Sequence, residues 1–577
     1  MSVTRERLAE VLEETALLLE IQGENPFKVR AYRQGAEIVS SYDGDIVALA
    51  REEKLDGIKG IGEALRDKLH ELATTGELEF HKKLRAIYPD SFFELFDITG
   101  LGPKKIAALH KTLGIDSIAS LKAACDSGKV AGLPGFGDKT QVKILEAIAR
   151  LEQSAGVFRL DEATTAAQEI LEILRLHPEV LRAAVAGSTR RSKELVHDLD
   201  FIVATPKPAE LTEFFAKQPF AKEIIAHGDT KCSILLESGM QCDLRAVSND
   251  QFPFALMYFT GSKEHNVAIR SRALKQGWSL NEYGFTGENL PVVHDEADIY
   301  RALGLDFVPP ELRENRGEIE AADEGTLPRL IELENLRGTF HNHTTESDGR
   351  STLDQMAEGA RELGLQYLGV SDHSKSSPQA RGLDEERLAA QLEKIAAWNR
   401  EQGGPQFRIF AGSEVDILKD GSLDFDEALL ARLDFAVASV HNVLNLDEDT
   451  MTKRIIRAME SPHITMLGHL TGRMLLRRDG YAVNHEKIID CAAATRTVIE
   501  LNCNPKRFDM DWRWWHRARD KGVLCSINPD AHSVNQLQFL KFGASVARKG
   551  WLRRQDVINT KPLAEIEAWL KLPKENR

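Results

Sequence analysis

In the stretch HDLDFIVAT, Asp198 and Asp200 stand two residues apart within an apolar run. Alternate side chains of a β-strand share a face, so both carboxylates project the same way. Asp243, in QCDLRAV, joins them if its strand lies alongside. Three carboxylates at one point repel unless cations neutralise them, and an all-oxygen ligand set favours two magnesium or manganese ions. Such a pair serves nucleotidyl transfer, one ion lowering the pKa of an attacking hydroxyl and the other holding a triphosphate. An isolated DxD more often caps a neighbouring loop. Here Gly187, Ser188, Thr189, Arg190 and Arg191 precede it, a glycine turn, a hydroxyl and cations where a triphosphate would lie.

A second constellation is rich in imidazole. Nine of the 17 histidines follow residue 337, and most close β-like runs. His341 and His343 alternate on one strand, Asp348 follows in a loop, and His373, Glu414, His441, His469, Asp530 and His532 each end a later run. Mixed nitrogen and oxygen ligands at one mouth would hold two or three divalent ions and fit zinc, manganese or iron, of which manganese or zinc is the expectation. His463, His485 and His516 read as structural. Arg473, Arg477 and Arg478 are candidates to hold a phosphate, against solvated charge. Trp512, Trp514 and Trp515 could stack on an unpaired base, although two of them are expected to pack a helix.

Elements must place these groups. Ile58-Lys59-Gly60-Ile61-Gly62, Thr99-Gly100-Leu101-Gly102-Pro103 and Pro134-Gly135-Phe136-Gly137-Asp138 repeat one pattern before a helix. It resembles the helix-hairpin-helix motif, whose amides grip a DNA backbone, and the alternative is an αα-turn that merely needs glycine. From about residue 155 a helix and several strand-like runs predict an α+β unit with a mixed or antiparallel sheet. Residues 251–305 read as mainly helical, and the charged, proline-containing stretch after them as a linker. Seven apolar runs then alternate with helices (337–343, 365–373, 407–414, 434–441, 463–469, 497–502 and 523–532), which predicts a parallel barrel with chemistry at the C-terminal strand ends.

Size and charge bound the rest. At 577 residues several domains are expected. The net charge of −15 argues against a broad electrostatic nucleic-acid surface, so DNA binding would need local devices. The six cysteines show no CxxC spacing and read as reduced small hydrophobes. The charged start and the lack of a long apolar run predict a cytoplasmic protein that does not contact membrane.

The GS followed by DxD resembles the nucleotidyltransferase signature and, within it, DNA polymerase family X. Tyr258, Phe259, Gly261, Asn266 and Arg270 resemble that family's thumb start. The resemblance places Tyr258 and Phe259 against the incoming sugar, Asn266 at the base edge, Arg270 at the template, and Gly187, Ser188 and Arg191 at the phosphates. Core packing is the alternative for one of the two aromatics. His197, Lys263 and Gln241 depart from the polymerase beta pattern. Lys28, Tyr32 and Lys68 match the family's small DNA-binding domain, and Lys68 falls at the Schiff-base lysine of a 5'-deoxyribose phosphate lyase, against a surface lysine. The histidine series is similar to the PHP domain. The implied architecture is a multidomain α/β chain: residues 1–80 an N-terminal DNA-binding domain with the first hairpin, 81–154 fingers with the second and third, 155–250 an α+β nucleotidyltransferase palm, 251–316 a helical and mixed thumb, 317–336 a linker, and 337–577 a distorted (β/α)7 PHP barrel. The implied function is short-gap filling in base excision repair with a metal-dependent 3'-to-5' exonuclease, and abasic-site cleavage beside it. The implied partners are gapped or primer-template DNA and deoxynucleoside triphosphates, bound by a monomer. The competing readings are a PHP phosphoesterase with an altered nucleotidyltransferase module, and a non-enzymatic DNA-end scaffold.

Overall fold

The computed structural model describes residues 3–42, 44–98 and 100–577. They form two compact units, Met1–Ala155 and Gly156–Arg577, each described by itself. Among the described residues no helix is long and apolar enough to cross a membrane.

The first unit is helical. Thr4 caps helix Arg5–Ile21, and Asn25 with Pro26 starts Pro26–Ser41; both supply an oxygen or a missing donor where helix amides lack partners. The three glycine patterns form three like turns. Ile61, Leu101 and Phe136 each donate a backbone bond three residues back, at 3.1, 3.1 and 3.0 Å. Each of these side chains is buried while the flanking glycines lead into helices Glu63–Thr75, Pro103–Leu113 and Asp138–Ser154. Thr99, quoted with the second turn, lies outside the described residues.

The second unit opens on a short strand, Phe158–Arg159, paired antiparallel with Leu195–Val196, then helix Leu160–Leu176 and a mixed sheet of five strands. Their order in space is Arg182–Val185, Asp198–Ala204, Gln241–Val247, Lys231–Leu236 and Ala221–His227. Asp198–Ala204 and Gln241–Val247 are parallel, and the other neighbours antiparallel. Helices Phe252–Thr260, Lys263–Lys275 and Glu296–Ala302 follow, with a short hairpin of Ser279–Asn281 and Gly284–Thr286.

The stretch 317–336, expected as a linker, is folded. Helix Glu318–Asp323 lies in it, and Glu318, Ala322, Leu330, Ile331 and Leu336 are buried. The physical reason is satisfied charge: Glu318 accepts from the amides of Asn315 and Arg316 and pairs with buried His265 at 2.7 Å. A carboxylate with such partners tolerates burial that its composition alone would forbid.

Seven parallel strands then run in chain order: Gly338–Thr339, Tyr367–Val370, Arg408–Asp416, Phe435–Ser439, Met466–Leu467, Val498–Asn502 and Cys525–Asn528. A parallel bridge between Asn342 and Ala531 brings the last strand back to the first, so the sheet closes as the repeated strand–helix pattern predicts. Phe340, Tyr367, Phe410 and Phe435 form an aromatic layer that helix Leu563–Leu570 covers. Gly369 and Gly412 make room for it, since a Cβ would lie 2.8 and 2.4 Å from Cζ of Phe435. Gly412→Ala should therefore cost about 1–3 kcal/mol through overpacking. Thermal unfolding of the purified variant checks this; an unchanged transition refutes the packing account.

Candidate active sites

In the parallel pair, Asp200 is the direct neighbour of Asp243, and Asp198 the neighbour of Gln241. The three predicted carboxylates therefore meet on one face of the sheet. Burial, then the charges of Asp198 and Asp243, push Asp200 up to about 7. Burial and Asp243 raise Asp198 as well. Asp243 moves the other way: burial opposes ionisation, but hydrogen bonds from Ser233, Gln241 and Lys231 outweigh it. The Lys231 amine lies 3.2 Å from Asp243 Oδ2 and Gln241 Nε2 donates to Oδ1 at 3.0 Å. Sequence reasoning missed Lys231, which supplies beside Asp243 the positive charge that Gln241 lacks. Gly187 sits on the cluster with φ +64°, and a Cβ there would lie 2.3 Å from Asp200 Oδ2. A side chain at this position would displace the carboxylate.

Beside the cluster opens a cleft of about 710 Å³, within the usual range of ligand pockets. Gly187, Ser188, Arg191, Tyr258, Phe259, Gly261, Asn266 and Arg270 all line it, together with Asp198, Asp200, His197 and Lys263. Asn266 Nδ2 donates to the Tyr258 carbonyl at 2.7 Å, while its Oδ1 is buried without a hydrogen-bond partner. Phe259 packs edge-on to Tyr258, and Arg245 lies over its ring at 4.1 Å, so this aromatic is shared between cleft and core. Arg190 turns away from the cleft to pair with Glu296 at 2.6 Å.

At the barrel mouth the nine predicted ligands converge. Eight of them offer donor atoms in three overlapping groups: His343, Asp348, His373 and His532; His341, His343 and Asp530; and His373, Glu414 and His441; the ninth, His469, reaches Glu414 alone. Glu414 is central. His373 Nδ1 lies 2.8 Å from it, His469 Nε2 3.0 Å, His441 Nε2 3.2 Å and His341 Nε2 3.3 Å. Burial, then His532 and His373, push His343 down to about 3, which leaves a neutral imidazole. Both ring nitrogens of His343, and Nε2 of His341, are buried without a hydrogen-bond partner. Buried imidazoles with unused lone pairs on shared carboxylates are what a cation cluster requires.

A supporting set escaped sequence reasoning. Glu500 receives His341 Nδ1 at 2.7 Å, and Asp416 receives His441 Nδ1 at 3.1 Å. Such carboxylates fix the ring and its tautomer, leaving Nε2 for a metal. Both were findable by parity, since Asp416 follows Glu414 by two on one strand. Arg507, also passed over, lies 3.3 Å from Asp530 Oδ2. Two arginines after His469 are otherwise engaged, Arg473 with Asp511 at 2.8 Å and Arg478 with the Gly472 carbonyl at 2.6 Å. Trp512 and Trp515 are buried, as their density predicts, and Trp514 stacks on His485.

In the helical unit, Lys28 and Lys68 both place their amines over Phe80, at 5.3 and 5.6 Å, and Tyr32 stacks on the same ring. Gly62, Gly100, Gly102, Gly135 and Gly137 have nothing within 4 Å of an added Cβ, whereas one at Gly60 would strike Ile38. Packing thus requires glycine at Gly60 and leaves the others bare. From the barrel geometry, Glu500→Gln should lower divalent-ion affinity about 10- to 100-fold with the fold intact. Calorimetric titration with manganese, beside circular dichroism, checks it; unaltered affinity removes Glu500 from the account.

The chain matches a helix-hairpin-helix domain over residues 4–78, a SAM-like helix-hairpin-helix tandem over 92–150 and the DNA polymerase beta thumb over 255–314. The polymerase beta of Leishmania infantum in a ternary P/T complex covers 39% of this chain and 98% of its own, at 22% identity and a TM-score of 0.26. A probable phosphatase of Thermoanaerobacter sp. is 28% identical over 243 residues, 40% of this chain and 93% of that protein. The DNA polymerase/3'-5' exonuclease PolX of Bacillus subtilis is 38% identical over 567 residues, 97% of this chain and 98% of that protein. With a likeness of that extent, the chain belongs to the bacterial family X DNA polymerases with a C-terminal PHP domain.

Proposed function

We propose that this protein fills short gaps in DNA, in base excision repair, and that its barrel removes nucleotides from 3'-ends, with abasic sites as a further substrate. The observation that carries the reading is the direct pairing of Asp200 with Asp243 beside a cleft lined by phosphate-, sugar- and base-facing residue types. Asp198, Asp200 and Asp243 would hold two magnesium or manganese ions. Bound there, the ions supply the charge that nucleotidyl transfer needs. A carboxylate pushed up to about 7 by burial, and then by its acidic neighbours, fits that role, because a cation offsets both.

The remaining work falls to side chains. Ser188 and Arg191 face the phosphates of a deoxynucleoside triphosphate, and Tyr258 and Phe259 wall its sugar. Asn266 lies at the base edge, and Arg270 turns to the template. At the barrel, two or three manganese or zinc ions would be held by His341, His343, Asp348, His373, Glu414, His441, His469, Asp530 and His532. Ions held there would supply Lewis-acid charge to a phosphodiester and a lowered pKa to an attacking water. Glu500 and Asp416 hold two of the imidazoles, and Arg507 takes a phosphate oxygen beside Asp530. The bare hairpin glycines let the backbone of primer-template or gapped DNA approach the helix amides. The protein acts as a monomer in the cytoplasm.

The two chemistries should separate by mutation. Asp200→Ala should reduce extension on gapped DNA by at least about a thousandfold and spare 3'-digestion, with His341→Ala/His343→Ala doing the reverse. Absence of extension by the parent protein, with magnesium or manganese, rules out the polymerase reading. The placement of Lys28 and Lys68 over one ring supports a lyase as well. Borohydride should trap the parent on 5'-deoxyribose phosphate DNA but not Lys68→Ala; equal trapping assigns the amine elsewhere.

A further inference from the structure

Lys549 closes helix Leu540–Lys549, which packs on the barrel strand Cys525–Asn528. Its side chain is fully buried, yet its amine serves the polymerase half of the unit. It lies 2.6 Å from Glu314 Oε1, 2.9 Å from the carbonyl of Arg191 and 3.3 Å from that of Glu311. The indole of Trp512 stands 4.4 Å away. Burial of an ammonium is costly unless it is paired, and here three oxygens and an aromatic face offset the cost.

The same oxygen of Glu314 accepts from Arg191 Nε at 3.0 Å. Arg191 also donates to the carbonyl of Thr260 and lines the cleft beside Ser188. At Gly261 a Cβ would stand 3.1 Å from Arg191 Nη1, so the guanidinium fills space that a side chain would take. The far end of the same loop is held from the barrel too, where Glu194 faces Arg473 and Arg513 at 3.5 and 3.6 Å.

We infer that Lys549, in the barrel domain, is a positioning residue for the nucleotide: it holds Glu314 and the backbone of Arg191, and so aims the Arg191 guanidinium at the triphosphate. The inference rests on the reading of the cleft as a triphosphate site. With the ammonium in place, the charge of Glu314 is shared between two cations, and Arg191 keeps attraction for a phosphate. Without it, Glu314 draws on Arg191 alone and the Arg191 carbonyl loses its donor. The loss falls on nucleotide binding, so KM changes more than kcat.

The test uses the full-length protein with Lys549→Met, which keeps the length of the stem, and Glu314→Gln, which keeps the shape of the carboxylate. Steady-state extension on gapped DNA should show the KM for the deoxynucleoside triphosphate raised about tenfold and kcat within about twofold. Digestion of a single-stranded 3'-end by the barrel should proceed at the parent rate. The double variant should be no worse than the worse single one, because the residues act as a unit. An unchanged KM in both variants overturns the inference, as does an equal loss of extension and digestion with a lowered melting temperature. If Lys549→Met does not fold, Glu314→Gln decides on the same readouts. A parent protein that extends no primer removes the polymerase reading itself and this inference with it, an outcome distinct from a parent that extends and variants that match it.

Discussion

The register between Asp198–Ala204 and Gln241–Val247 decides whether three carboxylates can share cations. Side chains alternate along Gln241–Val247, so Cys242, Leu244 and Ala246 are buried while Asp243 faces the cleft side. A slip of one residue would bury Asp243 and Arg245 and expose the three apolar groups. Two effects compete here. Burial and repulsion raise Asp200 to about 7, which corresponds to roughly 4 kcal/mol acting against its ionised form. On the other side, Leu199, Phe201 and Val203 of the facing strand are fully buried together with Leu244. Each large apolar side chain contributes about 1.5–3 kcal/mol. The apolar face therefore wins, and the core beneath the sheet keeps the carboxylates in a position they would not choose themselves.

The barrel solves the same problem with a different partner. Glu414 sits fully inside, where burial alone would favour its protonated form, but His341, His441 and His373 hold it well below the usual carboxylate range. Two of those imidazoles, His341 and His441, are in turn held by Glu500 and Asp416 through the nitrogen that does not face Glu414. Charge is thus layered outward from the mouth, each layer neutralising the one within. Below it the aromatic layer of Phe340, Tyr367, Phe410 and Phe435 excludes water from the strand interiors. The ligands at the top owe their fixed directions to that packed base.

Local signals told most of this in advance. Apolar runs ending in His, Asp or Glu mark barrel strands, because the C-terminal strand ends face one mouth; six of the seven observed strands fall inside the predicted runs, and the other, Arg408–Asp416, continues two residues beyond its run. The DxD spacing was legible for the same reason, a period of two. Glu500 and Asp416 obey the same parity but stand off the predicted ends of the runs, Glu500 two residues before its strand's end and Asp416 two residues past Glu414, where a carboxylate reads as one more polar residue. What a local pattern cannot carry is a partner far along the chain. Arg313 and Glu318 looked like linker charge, yet both are buried, because Glu296 and His265 meet them from other helices. Lys231 beside Asp243, Phe80 under Lys68 and Lys549 against Glu314 are contacts of this kind. Leu305, Val308 and Leu312 around the adjacent prolines did carry a helix-like spacing, and all three are buried. The prolines and charges masked it.

The net charge of −15 bears on how such a chain can meet a polyanion. At long range it repels DNA, so attraction must come at contact distance, from donors aimed at single phosphates. The helical unit uses side-chain oxygens to cap several helices, through Thr4, Asn25, Asp45 and Ser117. At its three hairpins it uses Gly62, Gly102 and Gly137 instead, with no side-chain cap. Giving up a capping oxygen for glycine costs only a few tenths of a kcal/mol per helix. An aspartate or serine there would occupy the first helix amides with its own oxygen, and an aspartate would add a charge that repels phosphate. The unoccupied amides carry the positive end of a helix dipole and need no lysine or arginine to attract an anion. An acidic protein can therefore hold DNA by its backbone, provided that nothing projects between the amides and the phosphate, and at these three glycines nothing does.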